Sequence, residues 1–464
     1  MSAVDGLDGV LRGELRRRGE TGYAELAASR FPNLSVPFTP DAVVRCRGTA
    51  DVLAAVRAAR DDGLAVAVRS GGVGWVGAPE GSLLLDLRDL DGVDVDPVNR
   101  RVRVGGGVVW RDVARELAPF GLAAAGPQFP RLGVAGHVLG GGHGWLTSRL
   151  GWASDTLHAV EVVTADGRLV RASRDEEPEL FWAMRGAGHN FGAVVALELD
   201  LIELDTVSFG LVWFDADRTA EALAFCRDWV VGLPDEVTTI VSVGHPPEGW
   251  GGPPELEGRA AAHVLVCHSG SGEAAERDLA ELRGSPHVVA DGVARIPWSA
   301  LAVGNDVFAS GVHRLSRMHY IRAFDDDVVA LSARRAQEIA PLSFMSTHYY
   351  GGAWQRVPDD ATAMGHRDRP WNYMVAITWT SMENGAPLRR WQNDYLDEVA
   401  AHSTGSFYVN YLCQEPASHV EASYSPATWT RLRDLKAAWD PQNLFRINQN
   451  IPPADGARTS RGES

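Results

Sequence analysis

Two glycine-rich segments contain the residues of this chain that are best suited to bind a charged ligand. The first is Arg69-Ser70-Gly71-Gly72-Val73-Gly74-Trp75, and the second extends from Gly126 to Gly144 and includes His137 and His143. In such turns successive backbone N–H groups can form a concave anion site, and glycine allows the chain to approach a pyrophosphate closely. The two segments therefore predict a site for a phosphate-bearing cofactor.

Residues 72–77, which begin in the first segment, also match the GxGxxG pattern of dinucleotide-binding folds, but their context is different. That pattern requires the third glycine to begin a helix. Here Gly77 is followed by Pro79 and Gly81, and a strand is predicted from Leu83. We therefore interpret the segment as an anion-binding turn between strands. A glycine-rich strand connection without a ligand remains the alternative for either segment taken alone.

Hydrophobic periodicity predicts the elements that position these segments. A helix over 49–60, with Thr49 as its N-cap, and a strand over 64–68 precede the first turn. The dipeptide Asp166-Gly167 predicts a hairpin between strands 159–164 and 168–172. Beyond Thr206 the pattern changes to strand 207–214, helix 216–232 and strand 236–243, followed by a surface loop over 245–254, a strand over 260–267 and a helix over 272–282.

Composition restricts the classes of partner. The 464 residues are enough for two or three domains, and the net charge of -16 argues against nucleic acid. The four cysteines are widely spaced, which favours reduced, buried thiols over disulfides or a metal site. Neither a secretion-signal pattern nor an apolar run of membrane-spanning length is present. We therefore expect a cytoplasmic protein with no membrane partner and no metal.

Several motifs resemble a known family. Residues 68–72 (VRSGG) resemble the VRSGGH turn of the FAD-linked oxidases related to berberine bridge enzyme, and 132–144 resemble their second flavin-binding loop. Residues 181–192 resemble the family's LFWALRGGGGNFG segment. Tyr408-Val409-Asn410-Tyr411, residues 440–446 and residues 448–451 resemble its C-terminal module. The resemblance extends from residue 38 to residue 451 in unbroken order.

The resemblance implies an α+β, two-domain PCMH-type FAD-binding fold with an antiparallel-sheet substrate domain. The expected boundaries are 1–205 for the FAD-binding domain, 206–405 for the substrate domain, 406–451 for a C-terminal segment that completes the FAD domain, and 452–464 for a disordered tail. It also implies FAD contacts from the following residues: Arg69, Ser70, Gly71, Gly72, Val73, Gly74, Phe129, Leu132, Gly133, Gly136, His137, Gly140, Gly141, Gly142, Gly144, Gly192, Val194, Asn448 and Asn450.

The chain departs from the family at the two positions that commonly attach the flavin. Val73 stands where the first turn usually has a histidine, and Phe129 stands where the second loop often has a cysteine. Neither side chain is a nucleophile, so neither can form the covalent link. His137 and His143 lie nearby, but relatives with both attachments have histidines there as well. The sequence therefore predicts noncovalent FAD.

The resemblance places Tyr408 and Tyr411 beside the flavin ring, where a tyrosine can accept the proton released when an alcohol or amine is oxidised. In a strand the two would face opposite ways, and Tyr408 would share a face with Asn410, which makes Tyr408 the preferred candidate. A tyrosine that only packs is the alternative. Residues 373–379 resemble a strand that carries a catalytic carboxylate in some plant relatives, but they contain no acidic residue. Further pocket candidates are His319, Tyr320, His348 and Tyr349.

These observations predict an FAD-dependent oxidoreductase that acts on a bulky, largely apolar small molecule, in secondary-metabolite biosynthesis, with molecular oxygen regenerating the flavin. The alternative is a redox-neutral cyclase or isomerase that uses the same scaffold. A cofactor-free binding protein is the third hypothesis. The intact glycine turns and the Asn448-Gln449-Asn450-Ile451 ending argue against it.

Overall fold

Four strands form a mixed sheet that ends at the first glycine-rich turn. The structure is a computed structural model that describes residues 2–29, 33, 35–246, 252–304, 312–413 and 415–455. The strand order is β1-β2-β4-β3, with β2 and β3 parallel to β4 and β1 antiparallel to β2. The strands are β1 (Glu14–Arg17), β2 (Ala42–Arg45), β3 (Ala65–Arg69) and β4 (Ser82–Asp86). The first turn therefore connects the end of β3 to the start of β4.

A second, antiparallel sheet has the order β5-β6-β10-β8-β9. Its strands are β5 (Val93–Asp96), β6 (Arg101–Gly105), β8 (Leu157–Val163), β9 (Leu169–Ser173) and β10 (Ala193–Asp200). The predicted hairpin at Asp166-Gly167 is confirmed, because β8 and β9 pair antiparallel and Gly167 has a φ of +76°. A short pair joins β7 (Leu122–Ala123) to β11 (Ile202–Glu203).

The large sheet is drawn entirely from the middle of the chain. Every strand pair in it is antiparallel, its main path is β15-β12-β14-β13-β18-β19-β17, and β16 also pairs with β12. The strands are β12 (Thr206–Phe214), β13 (Val237–Gly244), β14 (Ala261–His268), β15 (Val288–Asp291), β16 (Ala294–Pro297), β17 (His313–Ile321), β18 (Phe344–Tyr349) and β19 (Trp371–Trp379). The exact domain boundaries remain predictions.

Helices cover the sheets and close the C-terminus. They are α1 (Tyr23–Ala27), α2 (Thr49–Asp61), α3 (Trp110–Leu117), α4 (Val134–Leu139), α5 (Thr147–Leu150), α6 (Pro178–Met184), α7 (Thr219–Val230), α8 (Gly272–Asp278), α9 (Ala280–Arg283), α10 (Trp298–Gly304), α11 (Asp326–Ala336), α12 (Ala353–Arg356), α13 (Met382–Ala400), α14 (Ala417–Ala422) and α15 (Pro426–Trp439). Among the helices of the described residues, none has both the length and the apolar composition needed to cross a bilayer.

Three local predictions need correction. Helix α2 forms as predicted, but its N-cap is Gly48 and no side chain caps it, so Thr49 is the first helical residue. The helix predicted over 272–282 is interrupted at Leu279, which separates α8 from α9. Of the four free cysteines, Cys413 is only partly buried while the others are fully buried. The predicted loop over 245–254 and tail over 452–464 lie partly outside the described residues.

The largest hydrophobic core joins the two halves of the molecule. It combines residues of the second sheet and α4 with Met318, Tyr320 and Met374 of the large sheet and with Tyr408 of the C-terminal segment. A second core lies between the other face of the large sheet and helices α7, α11 and α13. One face of the large sheet is therefore buried against helices, and the other face meets the glycine-rich loops.

Candidate FAD and substrate site

The two glycine-rich loops touch each other through their backbones. A Cβ atom added to Gly71 would lie 2.4 Å from the backbone nitrogen of Gly133, and one added to Gly133 would lie 2.4 Å from that of Gly71. Only glycine permits this approach. Gly74 and Gly136 differ, because a Cβ there meets no described atom within 4 Å. The loops are thus locked together at one point and leave open space beside it.

Arg69 has a structural task at this junction. Its guanidinium donates to the carbonyl oxygens of Leu26 and Ala27, at 2.6 and 2.5 Å, and to the carboxylate of Asp86 at 2.9 Å. Both side chains of the Arg69–Asp86 pair are buried. The guanidinium therefore holds α1 against β3 and β4. Because the side chain has this structural task, the predicted contact of Arg69 with FAD is left to its backbone.

The remaining predicted FAD contacts follow the two loops and the elements next to them. A Cβ on Gly140 would lie 2.0 Å from Asn410 Oδ1, so this glycine lets the second loop meet the C-terminal segment. Gly192 packs closely on β8, and Val194 is buried in β10. Phe129 is buried and its carbonyl accepts from the Leu132 backbone N–H. Lying in the loops themselves are Gly72, Val73, Gly141, Gly142 and Gly144.

Unpaired polar atoms show that this region suits a polar cofactor. The hydroxyl oxygen of Ser70 and the Oδ1 atoms of Asn448 and Asn450 are buried and have no hydrogen-bond partner among the described residues. Leaving such groups unpaired costs about 1–3 kcal/mol each. Asn448 is fixed through its Nδ2 atom, which donates to the carbonyl of His189 at 2.7 Å. The free acceptors match the N–H and O–H groups of an isoalloxazine ring and its ribityl chain, so the residues present fit FAD.

Tyr408 and Tyr411 do not lie in a strand, which corrects the prediction. Residues Val409–Tyr411 form a 3₁₀ turn, so both rings turn to the same side and lie with centroids 5.2 Å apart. The preference for Tyr408 over Tyr411 on the ground of opposite strand faces is therefore wrong. Tyr408 Oη accepts from the Gly142 backbone N–H at 2.8 Å and from Asn410 Nδ2 at 3.1 Å. Its ring stacks on Trp152 at 4.9 Å.

His143 lies at the centre of a cluster of aromatic rings. The rings that contact it belong to Trp152, His348, Tyr350, Tyr408 and Tyr411. Its Nε2 atom forms a short hydrogen bond with Tyr411 Oη, and its ring centroid lies 5.0 Å from that of His348 and 5.9 Å from that of Tyr350. Burial, and then the neighbouring His348, lower the pKa of His143 well below its ordinary value. Burial also lowers the pKa of His348 to about 4. Both imidazoles are therefore neutral near pH 7.

His137 supports this cluster from the second loop. Its Nε2 atom lies 3.0 Å from the carbonyl of His143, and its ring meets Trp110 edge to face. Burial lowers the pKa of His137 to about 4. This residue therefore stabilises the loop as a neutral imidazole.

Two opposing effects act on the pKa of Tyr408. Burial raises the pKa of Tyr408 to about 12, while the amide of Asn410 and the backbone N–H of Gly142 lower it. Burial likewise raises the pKa of Tyr411. Since only Tyr408 receives two N–H donors on its oxygen in the described residues, it is the better proton acceptor of the two.

The large sheet contributes one face to this cluster. The register pairs Tyr320 with Asn372 and Asn372 with His348, so these three side chains lie side by side. Met318 and Met374 continue the same face. Asn372 is completely buried, and neither amide atom has a hydrogen-bond partner in the described part of the chain. The face is mixed in polarity, so it gives no support to the predicted preference for an apolar substrate.

The structure separates the other candidates. His348 and Tyr320 lie on the face that meets the cluster, whereas Tyr349 and His319 lie on alternate positions that point to the other side of the sheet. Arg367 is structural, because it forms a buried pair with Asp155 at 2.8 Å. Sequence reasoning missed Trp152, Tyr350 and Asn372. A polar residue inside the apolar strand 371–379 is the signal that could have identified Asn372.

Comparisons with known proteins identify the family. The FAD binding domain family matches residues 40–173, and the family described as berberine and berberine like matches residues 407–452. The (R)-6-hydroxynicotine oxidase of Paenarthrobacter nicotinovorans is 32% identical over 434 residues, which is 89% of this chain and 91% of that protein. The chain therefore belongs to the family of FAD-linked oxidases related to berberine bridge enzyme. It is an FAD-dependent oxidoreductase, as the sequence predicted.

Solved structures agree with this assignment. The 6-hydroxy-D-nicotine oxidase from Arthrobacter nicotinovorans superimposes with a TM-score of 0.83 at 29% identity, covering 96% of this chain and 98% of that one. A glucooligosaccharide oxidase from Acremonium strictum, which carries a 6-S-cysteinyl, 8α-N1-histidyl FAD, has a TM-score of 0.82 at 21% identity and covers 98% of this chain and 100% of that one. The predicted α+β PCMH-type fold is confirmed.

Proposed function

We propose that this protein is an oxidase that holds FAD without a covalent bond and uses Tyr408 to accept the proton released from its substrate. The observation that carries the assignment of the base is the pair of N–H donors, from Gly142 and Asn410, on the Tyr408 oxygen. Noncovalent binding is supported by Val73 and Phe129, whose side chains contain no nucleophile. Relatives named as oxidases of hydroxynicotine and of glucooligosaccharides support an alcohol or an amine as the oxidised group.

When bound, FAD supplies the hydride acceptor for such an oxidation. The part of the reaction that belongs to the chain is the proton. Tyr408 takes it from the substrate hydroxyl or amine, and the N–H groups of Gly142 and Asn410 stabilise the phenolate that does so. Trp152 stacks on the ring and fixes its orientation. His143 and Tyr411, which share a short hydrogen bond, lie beside the Tyr408 ring.

Acid precipitation tests how the flavin is held. We expect yellow supernatant over a white pellet for the wild-type protein, because only hydrogen bonds and packing retain the cofactor. The variant Val73→His restores a nucleophile at the position where the family attaches its flavin, so part of the colour should stay in the pellet. Val73→Leu is the matched control and should release all of it. Yellow wild-type pellets would contradict the proposal.

Anaerobic mixing tests the oxidation itself. We expect an alcohol or amine substrate to bleach the visible band of the bound flavin, and oxygen to restore it. Suitable first compounds are 6-hydroxynicotine and cellobiose, chosen from the chemistry of the relatives. Conversion of a substrate without bleaching or oxygen uptake would instead indicate redox-neutral chemistry. A preparation that takes up no added FAD would contradict the function as a whole.

A further inference from the structure

Asn372 is placed in an arrangement that the packing of the protein does not explain. It lies in β19, whose other residues are mostly apolar, and its side chain has no exposure to solvent. Its amide presents both a donor and an acceptor, yet neither atom reaches a hydrogen-bond partner among the described residues. Burial raises the pKa of Tyr350 and the nearby Asn372 amide opposes that rise, but the two groups do not attain hydrogen-bonding geometry.

The residues next to Asn372 place its unpaired amide beside the aromatic cluster of the candidate FAD and substrate site. Tyr320 and His348 flank it on the adjacent strands, and the His348 ring lies 5.0 Å from that of His143. The hydroxyl groups of Tyr350 and Ser346 are also buried and unpaired in the described part of the chain. A buried polar group without a partner destabilises a fold, so several on one face indicate that something else pairs with them.

A primary amide recognises one kind of partner best. Its carbonyl oxygen and its NH2 group lie side by side in one plane, so it pairs in full with a group that offers a donor next to an acceptor. Lactams and hydroxy-substituted nitrogen heterocycles offer this pair, and so do adjacent hydroxyls of a sugar. The ring of His348 lies next to Asn372 on the neighbouring strand and contacts the rings of His143 and Tyr350, and these rings favour a flat or ring-shaped ligand there.

We propose that Asn372 is a specificity-determining residue that binds the part of the substrate that presents a hydrogen-bond donor and an acceptor side by side. This inference rests on the proposed function, since it assigns the substrate class of the same site. It replaces the expected apolar substrate with one that has a polar edge. Asn372 belongs to β19 and Tyr408 to the C-terminal segment, so Asn372 decides which molecule binds, and Tyr408 accepts its proton.

The test combines binding with stability. In Asn372→Leu the amide is replaced by an apolar group of nearly the same size, which removes the unpaired atoms without leaving a cavity. We expect the variant to have a higher Tm than wild type, because a buried amide without a partner is destabilising in the free protein. We expect it to bind its ligand at least about tenfold more weakly, because the hydrogen-bond pair is lost. A residue with a purely structural role would lower the Tm instead.

The ligands are chosen to separate the two chemical sources. Isothermal titration of the FAD-loaded protein uses 2-pyridone, which has adjacent N–H and C=O groups, and cellobiose, which has adjacent hydroxyls. N-methyl-2-pyridone lacks the donor and should bind wild type no better than it binds Asn372→Leu. Thr347→Val is the matched control, because Thr347 lies one residue from His348 on the opposite face of β18 and its hydroxyl is also unpaired within the described residues. This variant should leave ligand affinity unchanged.

The outcomes decide between the inference and the proposed function. A loss of affinity for 2-pyridone alone assigns a lactam-like edge, and a loss for cellobiose alone assigns a sugar edge. The inference is wrong if the wild-type protein binds neither ligand, or if Asn372→Leu binds both as well as wild type does. If the protein in that case still holds FAD and oxidises a substrate, the proposed function stands without it. Failure to take up FAD contradicts the proposed function itself.

Discussion

Tyr408 is a tyrosine whose oxygen receives two N–H donors inside a buried cluster, and this determines how activity should depend on pH. Burial raises the pKa of Tyr408 to about 12, so the phenolate fraction is small near neutrality and increases with pH. A proton acceptor must be deprotonated, and we therefore expect kcat/KM to rise about tenfold per pH unit up to the stability limit of the enzyme. Rapid-mixing kinetics of flavin reduction across pH measure this directly.

Asn410→Leu provides the specific variant for this prediction. It removes one donor from the Tyr408 oxygen, so the phenolate is less stable. The rising, alkaline limb of the plot of kcat/KM against pH should therefore move about one pH unit higher. Tyr408→Phe should lower kcat by about a hundredfold or more and abolish the limb. A limb that persists in Tyr408→Phe would assign the base to another residue, and Tyr411 would then be the first to examine.

The helices and strands that the sequence predicts are those whose signal lies in neighbouring residues. Alternating apolar residues and the Asp166-Gly167 turn were enough to predict β8 and β9, because pleat and turn geometry depend on near neighbours. The turn at Val409–Tyr411 was not predictable in this way. Its conformation depends on contacts with Gly142 and His143, which lie more than 260 residues earlier in the chain.

The unpaired amide of Asn372 is a feature of the candidate site that also depends on distant residues, so the sequence does not predict it. The sequence places a polar residue in an apolar strand, but it does not tell whether the facing residues of β17 and β18 can pair with it. The structure places Tyr320 and His348 there, and neither pairs with the amide within the described residues. The glycine turns, in contrast, were recognisable, because Gly71 and Gly133 occupy positions where no other residue fits.

The C-terminal closure depends on a buried ion pair within α15 and the turn after it. Lys436 Nζ donates to Asp440 at 2.7 Å and to the carbonyl of Asn190 at 2.7 Å, and both charged side chains have no exposure. Asp440 in turn accepts the backbone N–H groups of Leu444 and Phe445. The pair thereby fixes the segment that leads to Asn448 and Asn450.

Lys436→Met is expected to lower the free energy of unfolding by about 3–5 kcal/mol, because it leaves the Asp440 carboxylate buried without its partner. It should also weaken FAD binding, since the segment that carries Asn448 and Asn450 loses its anchor. Urea unfolding and flavin titration measure the two effects. The double variant Lys436→Met, Asp440→Asn should recover part of the loss, because it removes the uncompensated charge. Strictly additive effects would show that the two side chains do not act as a pair.

The candidate site lies where the glycine-rich loops and the large sheet share one hydrophobic core. The second glycine-rich loop contributes His137 and His143, and the large sheet contributes His348. All three imidazoles are buried. Their protonation would place positive charge inside this shared core. A fall in pH should therefore destabilise the packing of the glycine-rich loops against the large sheet.

We expect the protein to lose stability as the pH falls from about 6.5 to about 4, because His137 and His348 have pKa values of about 4 in the folded chain and about 6.5 when unfolded. Within this range the unfolded state binds more protons than the folded state, so the contribution of these histidines to stability is complete above pH 6.5 and is lost progressively as the pH falls to about 4. Within this range each histidine should lower the free energy of unfolding by about 1.4 kcal/mol for each pH unit that the pH falls. Urea unfolding at a series of pH values, with saturating FAD throughout, measures the slope. His348→Gln should reduce the slope by about one proton, and an unchanged slope in both His348→Gln and His137→Gln would show that acid acts elsewhere in the molecule.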